Sequence, residues 1–454
     1  MTPTRRDTLR FALLGLAALT GAGTLSACSS DSSDGPGGAP ATGTELDGIE
    51  LVSSGVERGP GDPDALPQVV DGLRGLAGGL YAGMAATPGN PGNLVLSPYS
   101  VLVALGMTLA GATGTTAAEM EDVLGVGDLD DRWHAGVNAL LARIDGLAGT
   151  QERTDGSEAE IELGVANQLF GQTGVGWEEP FLDLLAREYG AALRAVDFEG
   201  TAEESRVLIN DWVEQQTRDR IVDLVPEGVI DPSTRLVLVN AIHLKAPWEH
   251  PFEKTLTAPG DFTLLDGTTV RADLMRKPDA TGVLTIGDGW RAATLPYAGQ
   301  QLAMTIVLPD EDSFDAVEGL LATGELPAFT VGAEPTTALD LTIPKWTFRT
   351  AASLKDLLIE LGMPSAFGDG TVKADFTPMT DEDLDLVIAE VVHQGFIAVD
   401  EEGTEAAAAT AVIMAETSAP VAEPFAADRP FLFVIHDVEL GTPLFLGRVV
   451  DPTA

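Results

Sequence analysis

The chain has 454 residues, 44% of them hydrophobic, a formal net charge of −44 and one cysteine. That apolar content is ample for a large core, the acidic field repels nucleic acid and anionic polymers, and a lone cysteine excludes an intrachain disulfide framework. Residues 1–27 hold three arginines and one aspartate, so the chain from Cys28 onward carries −46.

At the N-terminus, Thr4-Arg5-Arg6-Asp7-Thr8-Leu9-Arg10 precedes an apolar run over residues 11–19, and Leu25-Ser26-Ala27-Cys28 follows. A charged start with a short apolar centre reads as an export signal over residues 1–27, too short for a spanning helix. The paired arginines resemble a twin-arginine signal. Residues 25–28 resemble a lipobox, in which Cys28 becomes the lipidated N-terminus after cleavage. Residues 29–43 are Ser, Asp, Gly and Pro-rich, and a tether over residues 28–44 follows from that composition. The expected arrangement is a folded domain, residues 45–454, exported and lipid-anchored on the outer face of a bacterial cytoplasmic membrane, which it touches only through the lipid.

Val69, Leu73, Leu76, Leu80 and Met84 recur at three and four residues and predict an amphipathic first helix. Ser97 as N-cap with Pro98 at the first helical position starts a second. Residues 101–112 are apolar on nearly all sides, so this helix should be buried; Ser97 and Ser100 at its start then need partners. Residues 117–124 and 135–147 read as short surface helices, 151–160 as a polar loop, 161–170 as a strand, 181–189 as a helix and 209–225 as another helix. Residues 235–244 form a nearly continuous apolar run, which fits a strand covered on both faces in the middle of a sheet. Asn240 within it must be hydrogen-bonded. Short strands with Gly turns occupy residues 262–308. A helix over 314–321, a strand over 339–348, a helix over 354–361, a strand over 386–400 and closing strands over 431–436 and 444–449 complete the pattern. Strands and helices intermix without repeats, so the class is α+β in one large domain. The five histidines, His134, His243, His250, His393 and His436, show no ligand spacing, so neither metal nor cofactor is expected. No Gly-x-Ser-x-Gly elbow and no His-Glu-x-x-His motif points to a hydrolase.

The stretch Glu401-Glu402-Gly403-Thr404-Glu405-Ala406-Ala407-Ala408-Ala409-Thr410-Ala411-Val412 stands apart. Four consecutive alanines favour helix, and an Ala-rich surface helix or linker is one reading. The other is an added strand: at period two, Thr404, Ala406, Ala408, Thr410, Val412 and Met414 share one face, and Glu405 lies on the other. Gly403 supplies backbone freedom at the entry. This stretch resembles the reactive-loop hinge of inhibitory serpins.

The resemblance extends from residue 66 to the C-terminus in the family's order and spacing. It runs through Val165-Ala166-Asn167-Gln168-Leu169-Phe170, Ile209-Asn210-Asp211-Trp212-Val213, Leu295-Pro296-Tyr297, Leu341-Thr342-Ile343-Pro344-Lys345 and Pro443-Leu444-Phe445-Leu446-Gly447-Arg448-Val449. It implies the serpin fold: a five-stranded central sheet whose middle strands part, further sheets, about nine helices and an exposed reactive-centre loop. Ser97, Ser100, Asn240 and His393 match the family's shutter, a hydrogen-bonded cluster beneath those strands. Asn167 and Trp248 match positions near the top of the sheet, where Lys345 and Glu401 match an expected salt bridge. The chain departs from the pattern at His243 and Leu244, where the family usually has two aromatics.

The implied activity is suicide inhibition, not enzymatic turnover. A serine protease (or a cysteine protease) attacks the loop, an acyl-enzyme forms, and the cleaved loop enters the sheet with the protease attached. The scissile bond is expected about fourteen residues beyond the hinge glycine, at Thr417-Ser418 within a window of residues 414–419. Thr417 suits a small, uncharged pocket of subtilisin or elastase type, and the absence of Arg and Lys over residues 402–428 disfavours a trypsin-like target. The expected state is a monomer with no polyanion cofactor. The alternative is a non-inhibitory serpin acting as a surface binding protein.

Overall fold

A computed structural model describes residues 48–87, 92–325, 337–404 and 422–454. Two sheets and eight α-helices are present among the described residues. The first sheet runs β1 (Glu50–Val52), β5 (Leu193–Val196), β4 (Glu158–Gln172), β6 (Leu236–Pro247), β14 (Gly403–Thr404), β13 (Glu390–Val399) and β12 (Trp346–Ser353), with β3 (Gly149–Glu152) hairpinned onto β4. Strands β5, β4, β6, β13 and β12 are the five anticipated for the central sheet; β1, β3 and β14 are short additions. The second sheet runs β15 (Glu423–Ala426), β11 (Thr337–Pro344), β8 (Thr269–Gly287), β9 (Trp290–Pro296), β10 (Leu302–Pro309), β16 (Phe431–Asp437), β17 (Pro443–Val449) and β2 (Leu94–Leu96), with β7 (Ala258–Thr263) beside β8.

The helices are α1 (Leu66–Ala86), α2 (Pro98–Leu109), α3 (Gly114–Leu124), α4 (Arg132–Asp145), α5 (Glu179–Leu184), α6 (Phe198–Gln216), α7 (Phe314–Ala322) and α8 (Lys355–Leu361). Ser97 caps α2 by accepting the Ser100 N–H at 3.3 Å, and every residue of α2 is buried. That is what its all-round apolar pattern requires. Strand β6 supplies both cores. Leu236, Leu238, Ile242, Leu244 and Ala246 face the main core, while Val237, Val239 and Ala241 face the smaller core under α6 with Phe170, Ile209 and Trp212. A strand buried on both faces has no polar side to alternate with, hence its continuous apolar run.

Several expected boundaries move. The predicted helix over 209–225 is α6, which starts at Phe198 and stops at Gln216. Asp197 caps it through the Gly200 N–H at 2.8 Å, while Arg218 and Asp219 take positive φ. Asn210 then bonds both backbone groups of Val225, folding residues 217–225 back along the helix. The predicted polar loop over 151–160 is largely the β3–β4 hairpin, closed by the Arg153 N–H on Ser157 O at 2.8 Å. The predicted strand over 339–348 is two strands broken at Lys345, whose N–H goes to Asp273 O at 2.8 Å. Helix α4 is less superficial than expected, because Trp133, Val137, Leu140 and Ile144 are buried.

Candidate functional site

Strands β6 and β13 lie side by side at the centre of the first sheet. They pair directly and in parallel from Glu390↔Val237 to Gly395↔Ile242. Above that point they part, and the two residues of β14 fill the gap, antiparallel to both: Gly403↔Pro247 and Thr404↔Ala246 on one side, Thr404↔Val399 on the other. Gly403 is required by contact. A Cβ there would sit 2.3 Å from Ala246 O and 2.6 Å from Pro247 Cα, distances no side chain tolerates.

The turn that delivers β14 is held from several sides. Asp400 accepts the Glu402 and Gly403 N–H groups at 2.8 and 3.3 Å, an Asx-type turn. Burial pushes the Asp400 carboxyl upward, and these two donors work against it. Trp248 donates its indole N–H to Asp400 O at 3.1 Å and its backbone N–H to Glu402 O at 2.8 Å. Glu401 is 4% exposed and joins Lys345 Nζ at 2.9 Å and Thr257 Oγ1 at 2.8 Å. Burial acts to raise the Glu401 carboxyl, but these donors outweigh it and hold it below the ordinary range. Lys254 pairs with Glu402 at 3.1 Å. The Trp248 indole stacks on Tyr297 at 4.7 Å with planes 3° apart, and the buried Tyr297 hydroxyl meets Thr404 Oγ1 at 2.6 Å.

Lower in the sheet, Ser97, Ser100, Asn240 and His393 are buried together. The Ser97 backbone N–H donates to His393 Nε2 at 3.2 Å, which leaves the ring proton on Nδ1 to donate to Asn240 Oδ1 at 2.5 Å. Asn240 Nδ2 donates to Ser100 Oγ at 2.7 Å and to Asn167 Oδ1 at 2.9 Å, and Ser100 Oγ donates to Asn167 Oδ1 at 2.6 Å. Burial pushes the His393 pKa down to about 4, so the imidazole is neutral at pH 7. Asn167 was expected at the top of the sheet beside Trp248; it lies instead in this cluster, because the β4–β6 register sets it opposite Asn240. The cluster has no catalytic geometry. His393 faces a backbone amide and an amide oxygen, not a serine hydroxyl.

His243 and Leu244 are both buried, Leu244 among Ile144, Leu147, Ile161 and Leu302. Cys28, Glu405, Ala406, Ala407, Ala408, Ala409, Thr410, Thr417 and Ser418 lie outside the described residues. Among the described residues no group of His, Cys, Asp or Glu has metal-site geometry. Sequence reasoning missed Tyr297, Thr257, Lys254 and Asp400 as neighbours of the hinge. Only proximity in three dimensions marks them.

The family model described as Serpin (serine protease inhibitor) matches residues 72–452. An uncharacterized serpin-like protein of Thermococcus kodakarensis is 36% identical over 390 residues, covering 85% of this chain and 86% of that protein. Leukocyte elastase inhibitor of Sus scrofa is 36% identical over 377 residues, covering 81% and 96%. Among solved structures, the thermophilic serpin tengpin in its native state superposes with a TM-score of 0.74 at 25% identity, covering 88% of this chain and 97% of that one. Thyroxine-binding globulin in complex with thyroxine superposes with a TM-score of 0.72 at 26% identity, covering 85% and 99%. With a parted central sheet, a two-residue hinge strand at its top and matches over most of its length, the chain belongs to the serpin family.

Proposed function

We propose that this serpin is a suicide inhibitor of serine proteases whose cleaved loop enters the central sheet between β6 and β13. The observation that carries this is the register of β14. Continuing the pairings Thr404↔Ala246 and Thr404↔Val399 downward brings Glu405 opposite Lys245 and Thr410 opposite both Asn240 and His393. The two extrapolations agree because Asn240 and His393 are already partners across β6 and β13. Thr410 faces the core there, with a hydroxyl able to accept from His393 Nδ1 and donate to Asn240 Oδ1. Ala406 and Ala408, on the same face above it, are small enough to enter without displacing the core. Insertion replaces one parallel pairing with two antiparallel ones, which adds hydrogen bonds and drives the change. The residues from Thr404 to Thr417 span about 46 Å as a strand, enough to cross the sheet.

The small residues around Thr417-Ser418 suit a protease with a small, uncharged pocket, and the likeness to an elastase inhibitor agrees with that. The N-terminal signal, Cys28 and the tether support presentation of this inhibitor on the outer face of a bacterial membrane. Cys28→Ala should release it, and equal membrane retention of that variant overturns the anchor.

The soluble domain from residue 45 mixed with subtilisin or elastase should give a band of summed mass that survives boiling in denaturant. Mass spectrometry of the released fragment should place the cut within residues 414–419. Cleavage without such a band and without a gain in thermal stability would instead indicate a surface binding protein on a serpin scaffold.

A further inference from the structure

The alanines of the hinge carry little information about its register. Residues 406–409 are four alanines, and a one-residue slip among them changes nothing they present to the sheet, although it would turn Thr410 away from the core. What specifies the register lies at the entry, where Gly403 fits against Ala246 O and Pro247 Cα as no larger residue can, and Thr404 follows it. Within residues 401–409 the sole hydroxyl side chain is Thr404, and it meets the Tyr297 hydroxyl at 2.6 Å in a fully buried position.

Tyr297 is rigidly mounted. Its ring stacks on Trp248 at 4.7 Å, its N–H donates to Leu302 O at 2.9 Å, and the Ala298 N–H donates to Pro247 O at 2.8 Å, Pro247 being the pairing partner of Gly403. A slip in one direction would offer Tyr297 the bare Gly403; a slip in the other would offer the Glu405 carboxylate in an apolar surround. Either leaves a buried hydroxyl without its partner or buries a charge.

We propose that the Tyr297 hydroxyl is a register pin: together with the close fit of Gly403, its hold on Thr404 sets which hinge residue leads into the sheet, and therefore which loop residue arrives at Asn240 and His393. Tyr297 is a positioning residue that acts through Thr404. The proposal rests on the inhibitor reading for its kinetic consequence, while the pinning of the resting hinge does not depend on it.

The test uses Tyr297→Phe, which keeps the stack on Trp248, Thr404→Val, which keeps the branched shape, and the double variant. Amide hydrogen exchange over Gly403–Thr404 should rise about fivefold in each single variant, the loss of one neutral hydrogen bond, with no further rise in the double. The number of inhibitor molecules consumed per protease trapped should rise severalfold, while the unfolding midpoint falls by no more than the loss of that one hydrogen bond accounts for. A merely structural role would move the midpoint and leave that ratio alone. Unchanged exchange and an unchanged ratio overturn the pin. If the wild-type chain traps no protease, the inhibitor reading falls, and the exchange measurement alone still decides whether the hydroxyl pair holds the hinge.

Discussion

The upper and lower halves of the β6–β13 seam are built from the same two strands and behave oppositely. Below, six residue pairs run in direct contact, and a neutral hydrogen-bond chain through the buried His393, Asn240 and Ser100 to the half-buried Asn167 backs them. Above, the strands have parted around β14, and the surrounding bonds involve carboxylates: Asp400 in its turn, Glu401 on Lys345 and Thr257, Glu402 on Lys254. The lesson is where each kind of polar group belongs. A neutral network closes a seam without charged desolvation, whereas charged contacts suit an opening near solvent, where partners exchange at low cost.

The most severe way to break this contrast is to put a charge on the residue that the proposed insertion would bring to the lower seam. Thr410→Arg should leave the resting protein stable but reduce protease trapping by more than about 100-fold, because an unpaired buried charge costs several kcal/mol. A gel assay that still shows full covalent complex would remove Thr410 from the seam. Next, Asn240→Ala removes an acceptor for His393 and two donations at once. It should lower native stability by about 2–4 kcal/mol in denaturant unfolding.

The pH dependence sharpens the comparison. His393 is pushed from its ordinary 6.5 to about 4 by burial. Between those values the unfolded chain binds a proton that the folded chain does not, so the contribution is complete above about pH 6.5 and is lost as pH falls to about 4. Its size is about 3 kcal/mol. Subtracting the stability–pH curve of His393→Gln from that of the wild type should isolate this slope, and identical curves would contradict it. The smallest effect belongs to the upper half. Lys345→Ala should cost no more than about 1 kcal/mol of stability, since Lys345 is more than a third exposed. Unfolding measurements showing a loss of several kcal/mol would mean that the top of the sheet is held as tightly as the seam below.

Much of this fold was legible along the chain. The apolar run of β6, the Ser97-Pro98 start of α2 and the spacing of the first helix each follow from a local rule of burial or capping. So did the need for Ser100, Asn240 and His393 to satisfy one another, because polar residues inside apolar runs must find partners. Asn167 was assigned to the wrong level of the sheet, since strand register is a property of two strands' hydrogen bonds, not of one segment. The end of α6 escaped for a similar reason: Asn210 captures Val225 fifteen residues later, and an apolar pattern that merely continues looks like more helix.

What the sequence determined by itself was therefore the class of fold, the family likeness, the buried polar set and a hinge small enough to enter a sheet. What the tertiary structure alone decided was how far that hinge enters, which residue it pairs with and which aromatic hydroxyl receives it. The physical reason is separation. Tyr297 and Thr404 are 107 residues apart, and no periodicity links them. Only the stacking of Tyr297 on Trp248 and the parting of β6 from β13 bring the two hydroxyls within hydrogen-bond distance.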